Sequence, residues 1–167
     1  MKMFAISVWL AALTMVSLSS SALAKEQVPI KGTFATEFTF SSPPPIASLT
    51  LSGSGWASHL GKATCSSDNE VVDFTQQPLP TMTGTLTLTA ANGDTLTGEM
   101  DAVAIPAPDG SITFFGTLTF TGGTGRFANA KGTAEFGGTG TPNTTSSGGT
   151  GWFSFEGTVT SPGASKR

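Results

Sequence analysis

The sequence predicts an all-β domain: a single eight-stranded antiparallel meander closed into a barrel, with a two-sheet β-sandwich as the alternative. Three observations point there. Apolar residues alternate with threonines in at least five segments, and a period of two puts one face of a strand on a core and the other in water. Only 11% of residues are charged, and no window carries Ala, Leu, Glu and Lys at 3.6-residue spacing, so no long amphipathic helix is expected. The 12 phenylalanines fall at alternating positions, which argues against the disorder that so much Gly, Ser and Thr would otherwise suggest.

The chain opens on an export signal. Lys2 supplies a positive start, Met3 to Val16 is almost uninterrupted apolar sequence, and Ala22-Leu23-Ala24 has the small-x-small pattern of a cleavage site. Residues 1–24 are therefore expected to be a cleaved signal peptide, and the product is expected to be secreted or periplasmic. The apolar stretch is too short to span a bilayer comfortably and no second one follows, so no stable membrane anchor is expected. Residues 25–167 make one domain. Taking Lys2 from 8 basic residues against 11 acidic ones moves the formal charge from −3 to about −4, which favours solubility and argues against a nucleic-acid partner. Cys65 is the single cysteine, so no internal disulfide can form.

Thr33 to Phe40 alternates Phe34, Phe38 and Phe40 against Thr33, Glu37 and Thr39, until Pro43-Pro44-Pro45 stops it. Ile46 to Ala57 reads as a long strand and Ala63 to Phe74 as one or two more. From Thr81 to Thr89 threonine takes every odd position, with Leu86 and Leu88 on the other face. Asn92-Gly93 is a hairpin signal, because both central residues of a type I′ turn need positive φ. The return strand sets Thr95, Thr97, Glu99 and Asp101 against Leu96, Gly98, Met100 and Ala102. Asp109-Gly110 reverses the chain again, and Ile112, Phe114, Gly116, Leu118 and Phe120 share the next apolar face. Gly122 to Gly125 turns into a strand at Arg126 to Phe136. A loose stretch covers Gly137 to Thr150, and Trp152 to Thr160 is the last strand. The tetrad Gly-Thr-apolar-Thr recurs at Gly84, Gly116 and Gly157. Glycines at repeated mid-strand positions suit a barrel, where strands bend sharply and inward side chains must be small.

Gly122 to Phe136, GGTGRFANAKGTAEF, resembles the Gly-Gly-Thr-Gly-x-Phe-x-x-Ala-x-Gly stretch of dirigent proteins and allene oxide cyclases. It is still more similar to the secreted bacterial proteins grouped with them as allene-oxide-cyclase barrel-like. Ser58-His59-Leu60-Gly61-Lys62, after Gly53-Ser54-Gly55, resembles a second segment of that group. The resemblance implies an eight-stranded antiparallel barrel and, from the plant relatives, a homo-oligomer. Plant cyclases line their cavity with a first-strand glutamate, an asparagine two residues on, a tyrosine and a cysteine. Glu37 stands at the glutamate position, but Thr39 replaces the asparagine and no tyrosine exists. Dirigent proteins position their intermediate with aspartates and arginines, and only Arg126 and Lys131 lie near the matching segment.

The residues supply few groups for chemistry. His59 is the only histidine and so the only neutral-pH general base, and it reads first as a structural residue at a strand end. Cys65, six residues on, approaches it only if a tight turn joins two strands near Gly61-Lys62; otherwise it is a buried, inert thiol. One His and one Cys are too few for zinc. Asp68, Asn69, Glu70 and Asp73 form the densest oxygen cluster, but no calcium-loop spacing accompanies them, and they read as a solvated acidic turn. No metal and no cofactor is expected. Asn143-Thr144-Thr145 is formally a glycosylation sequon. Glu37, Glu99 and Asp101 share faces with threonines, so no carboxylate pair is expected in the lumen.

These readings favour a non-catalytic barrel that binds a small apolar molecule or a partner surface. Its lumen would be lined by Phe34, Phe38, Phe40, Leu86, Leu88, Phe114, Leu118, Phe120, Phe153 and Phe155. The alternatives are an isomerase or cyclase acting on an apolar intermediate, with Glu37, His59 and Cys65 as its candidate groups, and a structural or surface protein whose phenylalanines simply fill the barrel. An open lumen favours the first two, a filled lumen the third.

Overall fold

In a computed structural model of the chain, residues 26–143, 147–160 and 162 are described. The signal peptide and its cleavage site lie outside the described residues, as do Thr144 and Thr145 of the sequon. Eight strands follow one another: β1 (Gln27–Phe40), β2 (Ile46–Ala57), β3 (Gly61–Asp73), β4 (Thr81–Ala90), β5 (Thr95–Pro106), β6 (Ile112–Gly123), β7 (Gly132–Pro142) and β8 (Gly148–Thr160). Each pairs antiparallel with its sequence neighbours, and β8 returns to pair with β1 from Gln27↔Thr160 to Thr39↔Gly148. The sheet therefore closes on itself. That excludes the β-sandwich alternative, because no strand is left unpaired on either side.

Three boundaries differ from the sequence reading. β1 begins at Gln27 and not at Thr33, with Pro29 inside it. The ladder to β2 starts only at Gly32↔Ala57, and the Pro29 carbonyl accepts a hydrogen bond from His59 Nε2 at 2.9 Å. The absent N–H of Pro29 thus falls on the side where β1 has no strand partner, which is where proline is tolerated. Arg126 to Lys131 is not strand. Gly125–Phe127 forms a single 3₁₀ turn and β7 starts at Gly132. The stretch read as loose, Gly137 to Thr150, is largely ladder: Gly138↔Phe153, Gly140↔Gly151 and Pro142↔Gly149 are paired. Its Gly/Thr composition hides the alternation because glycine contributes no side chain to either face.

The inner face holds the core. Phe34 stacks on Phe153 with ring centroids 5.3 Å apart, and Phe155 meets Phe120 edge-on at 6.2 Å. Leu88, Leu96, Leu118, Ile30 and Val159 are fully buried around them. The two ends of the barrel are closed differently. One end carries the β2–β3, β4–β5 and β6–β7 connections, and the 3₁₀ turn delivers Phe127, fully buried, as a plug beside Leu60 and Ala130. At that end Gly93 has φ +86° but Asn92 is not at positive φ, so the hairpin is not the expected type I′ turn. The Gly93 N–H donates to Ala90 O and the Ala90 N–H to Asp94 O, both at 2.9 Å, which makes a three-residue loop with Gly93 as its left-handed bulge residue. Asp94 binds Arg126 at 2.8 Å to tie the hairpin to the plug. The other end carries the four remaining connections. Phe38, Phe40, Ile112 and Phe114 there are only partly buried.

Candidate binding site

The site is built where β3 breaks its alternation. Ser67 faces inward, Asp68 and Asn69 are both exposed, and Glu70 is buried again. Between Ser66↔Thr87 and Val71↔Thr83, β3 carries one residue more than β4, and it does so against β2 as well, between Leu51↔Ser67 and Leu49↔Glu70. This is a β-bulge, which re-aims every residue beyond it. The ladder gap is filled by a side chain: Asn69 Oδ1 accepts the Thr85 N–H at 3.0 Å, and Asn69 Nδ2 donates to Thr85 Oγ1 at 3.4 Å. Room inside is made by Gly84, whose absent Cβ would stand 2.9 Å from Glu70 Cα. The acidic segment is therefore not a solvated turn. Asp68 and Asn69 are in water, Asp73 ends the strand with hydrogen bonds from Thr75 and Gln76, and Glu70 lies inside the barrel.

Glu70 is 4% exposed, and its Oε2 has no hydrogen-bond partner among the described residues; neither has Ser67 Oγ. Burial pushes its carboxyl up from 4.5 to about 7, because the charged form is poorly solvated there. It lines a cavity of about 50 Å³ together with Thr36, Phe38, Leu51, Val72, Met82 and Phe114. Phe40 and Ile112 line this cavity and also an apolar groove of about 480 Å³ at the rim, walled by Pro43, Pro44 and Phe74. The inner space alone holds one or two waters' worth of volume. Elsewhere the lumen is occupied by the stacked phenylalanines.

All ten lumen residues read from the sequence face inward. Seven of them (Phe34, Leu86, Leu88, Leu118, Phe120, Phe153 and Phe155) are buried in the packed core, and three (Phe38, Phe40 and Phe114) line the cavity. The polar candidates are dispersed. Glu37 is exposed on the outer face of β1, and Thr36 takes the inward position beside it. His59 sits at the tip of the β2–β3 turn with φ 64°, exposed, its ring bonded to Pro29 O. Cys65 is inside, opposite Gly53 on β2, and desolvation pushes its thiol up to about 12, so it stays protonated at ordinary pH. The tight turn exists, yet it leaves imidazole outside and thiol inside. Glu99 and Asp101 are exposed. Arg126 and Lys131 lie at the plugged end, on the β6–β7 connection.

Sequence reasoning did not place Glu70 in the lumen, nor Leu49, Leu51, Val72 and Met82, which line the cavity with it. It also placed no weight on the outer face, where Trp56, Trp152 and Phe115 are each 51% exposed.

No family model matches the sequence, and no curated protein matches it. Among solved structures the fold is similar to that of a pterocarpan synthase dirigent protein, with 14% identity and a TM-score of 0.46 over 83% of this chain and 93% of that one.

Proposed function

We propose that this chain is an exported, non-catalytic barrel that binds a small, mostly apolar molecule at the open end of its lumen. One observation carries the reading: the barrel is packed with rings at one end and at the other leaves a cavity that shares Phe40 and Ile112 with an apolar groove. A ligand seated there would place its head between Phe38 and Phe114 and its tail over Phe40, Pro43 and Phe74. Burying apolar surface stabilises by about 25 cal/mol per Å², so such a ligand needs no charge to bind weakly. Export rests on the leader pattern of Met1 to Ala24.

Hexan-1-ol titrated into the purified protein, followed by NMR, tests this. The methyl signal of Met82 is expected to shift while the Phe34–Phe153 stack stays silent, and Phe114→Ala is expected to change the affinity. A second reading, a structural barrel without a ligand, is favoured by the small inner volume. It takes over if hexan-1-ol at millimolar concentration moves no lumen signal. The isomerase reading with Glu37 and His59 would have to operate outside the lumen, since both are exposed.

A further inference from the structure

Resting on that reading, we infer that the preferred ligand of the lumen mouth is an organic ammonium ion, an amine on a short apolar chain, with Glu70 as its counter-charge. Three observations converge. The first is Glu70 itself: a carboxyl taken almost wholly out of water, lining a cavity, with Oε2 unpartnered among the described residues. A buried polar atom in a native fold ordinarily has a partner, and an orphan carboxyl oxygen on a residue that lines a cavity calls for a donor, best a charged one. The second is the wall. Phe38 and Phe114 line the same cavity as the carboxyl, and an ammonium ion is attracted to aromatic rings as well as to a carboxylate.

The third is the distribution of charge over the molecule. Among the described residues, Lys31, Lys62, Arg126 and Lys131 all lie toward the plugged end, in the first half of β1, at the start of β3 and on the β6–β7 connection. Asp73 and Asp109 lie at the mouth and Asp101 midway along β5, with no lysine or arginine described at the mouth to offset them, whereas the bases at the plugged end are accompanied by Glu26, Asp94, Glu135 and Glu156. The field at the entrance is therefore negative and draws cations toward it while repelling carboxylates. An apolar acid would meet Glu70 as a like charge. A neutral alcohol would satisfy one hydrogen bond and leave the field unused. An amine uses the field, the rings and the carboxylate together, and the fold has already taken that carboxylate out of water, so the ligand brings the missing half of the pair.

The groups that face Glu70 leave its titration simple. From β1 come Thr36 and Phe38, from β2 Leu49 and Leu51, from β4 Gly84 and Met82, from β5 Met100, from β6 Phe114, from β7 Thr139 and Gly140 and from β8 Gly151, none of them titratable. Among the described residues Cys65, on its own strand, is the one other titratable side chain inside, and its thiol remains neutral. Binding an ammonium ion to the protonated form must then release the Glu70 proton to solvent.

Hexylamine and hexan-1-ol are the probes, compared by NMR titration at pH 8 and pH 6, with proton release on hexylamine addition measured in weak buffer on the unaltered protein. Hexylamine is expected to bind at least about tenfold more tightly than hexan-1-ol at pH 8. That advantage should shrink as pH falls below about 7, with protons released on binding at pH 6. Glu70→Gln is expected to erase the preference and keep hexan-1-ol binding. Equal affinities at pH 8, or binding of hexylamine without proton release at pH 6, would overturn the ammonium assignment and leave the apolar binding site standing. If neither compound binds, both the assignment and the binding reading fall.

Discussion

Glu70 costs the protein stability in a way that pH exposes. Its folded-state value, about 7, lies above the ordinary 4.5. Below pH 4.5 both folded and unfolded chains hold this proton. As pH rises toward 7 the unfolded chain releases it first, so stability is lost across that window by about 3 kcal/mol and then stays level. Chemical denaturation at pH 4.5 and at pH 7.5 should show this fall for the native chain, and Glu70→Gln should flatten it. A native chain that gains stability over the same range would contradict the buried placement. The lumen phenylalanines were legible as inward-facing from their alternation with threonine and other polar residues along the strands, which also put Phe115 on the outer face. Glu70 was not. Counting by twos from Cys65 sends position 70 outward, and only the extra residue at Asp68-Asn69 brings it in. A bulge has no compulsory residue signature, and a run of Ser, Asp, Asn and Glu looks the same as a turn.

At the scale of the strand, the bulge in β3 is held by one amide. Asn69→Ala removes both bonds to Thr85 and leaves the Thr85 N–H without its acceptor in a ladder gap. Loss of about 1 kcal/mol in a denaturant titration is expected, with little loss for Asp68→Ala next to it. The two ends of β1 and its partners should also differ. Phe34→Ala strips a ring stacked on Phe153 and should cost about 3–5 kcal/mol, whereas Phe114→Ala, half-buried beside a cavity, should cost clearly less. Equal losses would mean that the mouth is as tightly packed as the core. Strand existence was legible wherever threonine alternates with large apolar side chains, as in β4, β5 and β6. It was illegible in β7 beyond Phe136 and at the start of β8. There Gly137, Gly138, Gly140, Gly148 and Gly149 let backbones approach closely and carry no pattern to read. The 3₁₀ turn at Gly125 was hidden for a related reason, because Phe127 has the spacing of a strand residue and serves as a plug.

Across the whole molecule, closure removes the free sheet edges through which β proteins pair with one another, and the short connections make every ladder but one local in sequence. The exception is β1 with β8, and it places Gln27 directly beside Thr160. Where the polypeptide starts is therefore a matter of covalent history and not of architecture: the ring has no intrinsic first strand. Joining these two residues through a short Gly/Ser linker and opening the chain between Asn92 and Gly93, at an exposed hairpin tip, exchanges one local connection for another. Such a rearranged gene should yield the same sheet by circular dichroism and one cooperative melting transition. Glu70 should then sit as far from either new terminus along the barrel axis as it does from Gln27 and Thr160, so the permuted protein offers ends for surface attachment that leave the mouth facing solution.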